Sequence, residues 1–150
     1  MNKLYCDGSF DWTSTEKSAE NVVRGKIAIS DGEQFNCVEK VAIGKVPNLK
    51  QYINIIELFA IGRAIELSII NKLEGDLSIF SDSSVAVIWA RKGKVSPKVK
   101  TEAHSNVIDY LKVAFSKYPG QIKFNFIPRE QNPAGFLLDK ELTKESPHTI

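Results

Sequence analysis

Three acids in this chain stand where an acid is costly unless something positive meets it: Asp7, Glu57 and Asp82. Asp7 follows the apolar run Leu4-Tyr5-Cys6, which reads as a buried strand, and precedes Gly8-Ser9. An unpaired buried charge costs several kcal/mol, and the next basic residue along the chain is Lys17. The ordinary alternative is that Asp-Gly-Ser forms a turn. Glu57 lies three residues after Asn54 in an apolar helical stretch, so the two look out along one edge; the alternative is a glutamate that snorkels to solvent. Asp82 closes the apolar run Leu77–Phe80, and either Asp82 or Ser83 could cap the helix that follows. An acid at the carboxyl end of a parallel strand also lies where open α/β sheets hold their ligands.

The elements that must position these acids can be read in order. After Ser9 a polar stretch to Asn21 reads as a loop. Val22–Ser30 is β-branched and alternating, hence a strand, and Asp31-Gly32 signals a hairpin to a partner strand over Phe35–Val46. A loop around Pro47 leads to a helix over Ile53–Ile70, where twelve of eighteen positions are apolar, so it must be buried on most sides. Leu77–Phe80 is a short strand, followed by a helix to Ala90. Arg91–Lys100 (RKGKVSPKVK) carries five basic residues in ten and reads either as a solvated loop or as a flexible cationic arm for phosphates. Thr101–Phe115 is an amphipathic helix and Ile122–Ile127 an alternating strand. The last helix starts at Pro133, which suits a first helical turn, and runs to about Glu145, leaving a frayed tail from Ser146. The order β-β-β-α-β-α-α-β-α predicts an α/β domain over residues 1–150: a mixed five-stranded sheet, an antiparallel meander plus two parallel strands, flanked by helices.

Composition excludes little. The net charge is +2, with 43% hydrophobic and 25% charged residues, so charge alone does not announce a nucleic-acid partner. Cys6 and Cys37 fall on separate predicted strands without metal-ligand spacing, which reads as reduced thiols in a reducing compartment. There is no charged-then-apolar leader and no apolar run of the roughly 18 residues a membrane span needs. The expectation is a soluble, cytoplasmic, monomeric protein with no membrane partner.

Asp7-Gly8-Ser9 after the first strand, Asn54-x-x-Glu57 opening the first helix, Ser81-Asp82-Ser83 after the fourth strand and Pro128-Arg129-Glu130-Gln131-Asn132 before the last helix occur together in that order. With this element order, the chain resembles ribonuclease H of the type 1 class over nearly its whole length. The resemblance implies an RNase H-like fold and an endonuclease that cuts the RNA strand of RNA–DNA hybrids with two Mg²⁺ or Mn²⁺ ions. It implies that Asp7 bridges both ions and that Glu57 and Asp82 complete the shell. It places Ser9 and Asn54 on the substrate, Asn54 at the minor groove where 2′-hydroxyls mark RNA, and Arg91, Lys92 and Lys94 on backbone phosphates. Hard cations prefer such oxygen ligands, and phosphodiester hydrolysis develops charge on both attacking and leaving oxygens.

The sequence departs from the family in three places. The loop after Ser9 is not Gly-rich, and neither His104 nor His148 lies in the loop before the last helix. The family's fourth acid, four residues after the Asn, falls on Phe136, while Asp139 follows one helical turn later. Asp139 is then the expected fourth ligand and Phe136 a hydrophobic anchor beneath the site. Two other functions fit the same motifs: a ribonuclease-H-like binding module that has lost catalysis, and a nuclease of the same fold acting on DNA.

Overall fold

The structure, a computed structural model, describes residues 2–10, 22–44, 49–99, 101–140 and 148–149. The expected loops over 11–21 and around Pro47, the end of the basic run at Lys100 and the last helix beyond Lys140 lie outside the described residues.

The meander forms as its pattern requires. β1 (Asn2–Phe10), β2 (Val22–Ser30) and β3 (Asn36–Gly44) pair antiparallel in turn. The β2–β3 turn is tied by side chains: Ser30 Oγ accepts from Gly32 N–H, and Asp31 Oδ1 accepts from the N–H groups of Glu33 and Phe35. β4 (Leu77–Ser81) pairs parallel with β1, and β5 (Ile122–Phe126) parallel with β4. The five strands run β5-β4-β1-β2-β3, the predicted mixed sheet. A two-residue strand, β6 (His148–Thr149), adds parallel to β3. Backbone pairing thus holds this part of the tail, which was expected to be frayed.

Among the described residues four helices flank the sheet: α1 (Leu49–Ile70), α2 (Ser84–Lys92), α3 (Glu102–Lys117) and α4 (Pro133–Lys140). α1 starts a turn earlier than the apolar pattern indicates, since Leu49–Tyr52 precede the dense run. As its composition demands, it is the buried centre of the molecule, with Ile55, Ile56, Leu58, Ala60, Ile61 and Ile65 essentially inaccessible. They pack on Leu4, Cys6, Ile27, Ile29 and Ile43 from one sheet face, the alternate positions that period-2 strands present together. α4 contacts β1, β2 and β3.

The expectation for the basic run needs correction. α2 continues through Arg91 and Lys92 to a left-handed Gly93, where cations are favourable because helix carbonyls are unsatisfied. Val95 is buried and Pro97–Val99 forms a 3₁₀ turn. The segment is anchored rather than a free arm. Among the described residues no helix is long and apolar enough to cross a membrane.

Candidate metal centre and its cleft

Asp7 lies within β1, paired opposite Ala28 of β2, and the strand continues to Phe10. The turn reading of Asp-Gly-Ser is therefore excluded. Alternation turns Asp7 to the face opposite Cys6 and Gly8, toward α4. Gly8 is required beside it: a Cβ there would lie 2.5 Å from Ile56 Cγ2 and 3.0 Å from Glu57 Oε1. The missing side chain lets α1 bring Glu57 down onto the strand. Glu57 is 4% exposed, so the snorkelling alternative fails too. Asp82 follows β4 next to Cys6, whose register partner is Ser81. The cap of α2 is Ser83, whose hydroxyl accepts from Ala86 N–H at 3.1 Å, which leaves Asp82 free of that task.

Asp7, Glu57 and Asp82 thus converge, with one carboxylate oxygen from each all within 4.8 Å of one another. Burial is the largest influence on Asp7 and raises its carboxyl above the ordinary range; Asp82's charge adds to this, while hydrogen bonds with Glu57 and the Gly8 N–H pull it back. Burial also raises Glu57 well above the carboxylate range, with Asp7's charge second. The Cys6 thiol is raised by burial and then by the three acids, which keeps it protonated; it donates to Phe80 O at 3.5 Å.

Asp7 Oδ2 and Glu57 Oε1 are buried without any hydrogen-bond partner among the described residues. Buried polar atoms are nearly always partnered, so two orphaned oxygens within one carboxylate cluster ask for a positive species beside them. Arg129 does not supply it: Nη1 is 4.0 Å from Asp7 Oδ2 and the side chain is 69% exposed. An all-oxygen donor set of buried carboxylates fits a hard divalent cation such as Mg²⁺ or Mn²⁺.

A cleft of about 470 Å³ opens over Glu57 and Asp82 and is lined also by Ser9, Asn54 and Arg129, with Asp7 buried behind it. It unites the two expected substrate residues, Ser9 and Asn54, with these two acids. Arg91, Lys92 and Lys94 do not line this cleft, and the Arg91 guanidinium donates twice to Phe124 O, at 2.9 and 2.7 Å.

Two residues of the site carry more than the sequence indicated. Asn132 is fully buried; its amide donates to Cys6 O at 3.0 Å and to Asp82 Oδ2 at 3.3 Å, while its Oδ1 accepts from Ala134 N–H. It joins β1, Asp82 and the first turn of α4. Gly135 then faces the cluster, for a Cβ there would meet Asp7 Oδ2 at 3.1 Å. The Arg-Glu-x-Asn segment was the available signal for Asn132; nothing local marks Gly135.

Phe136 is 52% exposed and so does not lie beneath the site as expected. Gly135 is the residue of α4 pressed on Asp7, and the next position points about 100° away round the helix. Asp139 is exposed and is not among the carboxylates brought together. It lies four residues beyond Gly135, on the same side of α4 and one turn further on.

No protein-family sequence model matches the chain, and no curated protein matches it by sequence. Solved structures do match. RNase H1 from the archaeon Halobacterium salinarum NRC-1 aligns with TM-score 0.57 at 14% identity, over 91% of this chain and 92% of that one. LC11-RNase H1, isolated from compost, gives TM-score 0.59 at 22% identity, over 92% and 93%. The same protein in complex with an RNA/DNA hybrid gives 0.55 at 22%, over 87% and 88%. Identities this low speak to architecture, and the architecture is plain: strand order, parallel pairs and flanking helices make this an RNase H-like fold.

Proposed function

We propose that this protein is a metal-dependent endonuclease that hydrolyses the RNA strand of RNA–DNA hybrids. The observation that carries the reading is the trio of buried Asp7 and Glu57 with half-buried Asp82 beside an open cleft, two of their oxygens left unpartnered. The fold supports it, because its structural neighbours include RNase H1 proteins, one of them solved on an RNA/DNA hybrid.

Asp7, Glu57 and Asp82 would hold Mg²⁺ or Mn²⁺. Bound there, two such ions would supply an activated water and offset charge on the leaving oxygen of a phosphodiester. The chain's own groups do the rest. Asn132 fixes Asp82 by hydrogen bonding, and Gly8 and Gly135 admit the backbones that bring Glu57 and α4 against Asp7. Asn54 presents an amide at the cleft wall, suited to a ribose 2′-hydroxyl, and Ser9 adds a hydroxyl there. Arg129, exposed beside Asp7, is placed to meet a phosphate. Lys92 and Lys94, with what remains of Arg91, would contact the duplex backbone further out. Asp139 is assigned to the metal as a fourth acid, acting from the turn of α4 beyond Gly135.

The deciding experiment is cleavage of a labelled RNA–DNA hybrid beside double-stranded RNA and double-stranded DNA, with Mg²⁺, with Mn²⁺ and with chelator. Cleavage confined to the RNA of the hybrid, and abolished by chelator, is expected. Binding without cutting would favour the non-catalytic module, and cutting of DNA the third reading. The exposed Phe136 at the usual position of an acid is the observation that keeps the non-catalytic alternative in view.

A further inference from the structure

On the outer edge of the sheet, away from the carboxylates, a cavity of about 580 Å³ opens between the end of α2, the middle of α3 and strand β5. Its rim carries four cations, Arg91, Lys92, Lys112 and Lys123, and no acid lines it. None of the four has a carboxylate within ion-pair distance among the described residues. The floor is apolar: Leu111 and Phe124 are buried, and Phe115 stacks on Phe124 at 6.0 Å while staying 45% exposed.

Charge and shape restrict what can sit here. Four uncompensated cations select an anionic partner. An apolar floor gives a phosphodiester backbone nothing, whereas it accepts an aliphatic or aromatic side chain. Addition of a strand to β5 is blocked at its centre, because Arg91 already occupies the outward carbonyl of Phe124 through both Nε and Nη2. The pocket also stands about 12 Å, the length of α2 at its ordinary rise, from the end of that helix nearest Asp82. We propose that this pocket docks an acidic segment of a partner protein, with an apolar side chain inserted against Phe115 and aspartates or glutamates on Lys112 and Lys123, the two rim lysines that the duplex does not use.

The test measures binding by fluorescence anisotropy for a set of short labelled peptides rich in Asp and Glu, each carrying one Leu, Ile, Phe or Trp. Controls are the same peptides with Lys in place of the acids, and an oligothymidylate. The expected result is binding of at least one acidic peptide, weakened at least tenfold in Lys112→Glu/Lys123→Glu and in Phe115→Ser, with hybrid cleavage unchanged in both variants. Both lysines are exposed, and circular dichroism checks that each variant is folded. The idea is overturned if acidic peptides bind no better than their lysine counterparts, or if the lysine substitutions leave binding unchanged. Displacement of bound peptide by oligothymidylate from this pocket would overturn it in favour of a nucleic-acid contact.

Discussion

Helix α1 contributes acids to two clusters, and only one of them brings in a closely bound cation. Near the helix start, Glu57 meets Asp7 and Asp82 with two oxygens unpartnered. Two turns later, Arg63 reaches Glu39 of β3 with both prongs, at 2.8 and 2.9 Å, and also donates to Glu66. Glu66 accepts in addition from the Tyr110 hydroxyl at 2.8 Å. The consequences run in opposite directions. Arg63 is held charged more firmly than a free guanidinium, chiefly by its hydrogen bond to Glu39. Glu57 is driven toward its neutral form by burial and by Asp7. A cluster that exists to hold the fold brings its own counter-charge, because an uncompensated buried ion is expensive. A cluster that leaves the counter-charge out is built to receive it.

The largest expected effect of breaking this contrast is at the unneutralised site. Asp7→Asn should fold normally and cleave hybrid at least ~10³-fold more slowly, about 4 kcal/mol of transition-state stabilisation. Near-normal rates in Mg²⁺ would sink the metal assignment. At the neutralised site the loss should appear in stability instead. Arg63→Met removes the two-pronged partner of Glu39, which is 5% exposed; removing one partner of a buried pair costs about 3 kcal/mol, or roughly 10 °C in melting temperature for a chain of this size. Cleavage per folded molecule should be unchanged. A melting temperature within a degree or two of wild type would mean that the Arg63 pair contributes nothing.

What could be read from the sequence divides along the same line. Strands and the acids of the trio were legible because they are local: β2 falls on Val22–Ser30 as its alternation predicts, and Asp7, Glu57 and Asp82 each stand in a short motif at an element's edge. The supporting contacts were not legible, since they join positions far apart. Asn132 bonds to Cys6 O across 126 residues and Arg63 to Glu39 across 24. No periodicity encodes which helix face will meet which strand residue. The misplacement of Phe136 has the same origin: the direction of α4 is set by Asn132 and by Gly135 packing on Asp7, both tertiary facts. The two further helical residues, Arg91 and Lys92, are not legible because a run of cations resembles a loop, although the same cations suit a helix end.

A buried histidine gives a third, smaller test, set apart from both acid clusters. His104 is fully buried in the first turn of α3, against Trp89 and with Nδ1 on Thr101 Oγ1. Burial lowers its pKa from 6.5 to about 4. The folded chain therefore prefers neutral imidazole, and the associated stability is complete above pH 6.5 and lost as pH falls toward 4. The loss should be on the order of 3 kcal/mol. Urea unfolding of wild type and His104→Gln across that window isolates it, because the acids titrate alike in both. Parallel curves would remove the assignment. Smaller again, Asp139→Asn should slow cleavage roughly tenfold, about 1.4 kcal/mol, most clearly at limiting metal. Full activity there would leave the site with three acids.

The same chemical change made in the two clusters should have opposite signs, and this is the finest test of the comparison. Glu39→Gln removes the charge that holds Arg63, so the metal-free protein should melt lower. Glu57→Gln removes a charge that nothing holds. Its carboxylate is raised by burial and by Asp7, so at neutral pH the metal-free fold bears the strain of crowded acids. The amide is nearly isosteric, needs no ionisation and can donate to Asp7. Glu57→Gln should therefore raise the metal-free melting temperature by roughly 2–4 °C, about 1 kcal/mol for a chain of this size. Mg²⁺ or Mn²⁺ should stabilise wild type by binding the folded state alone, and that increment should vanish in Glu57→Gln while it persists in Glu39→Gln. Scanning calorimetry of the three proteins with chelator and with each ion reads both effects at once. If Glu57→Gln melts lower than wild type in chelator, as Glu39→Gln should, then Glu57 is a structural acid whose partner lies within the protein, and the two clusters are of one kind.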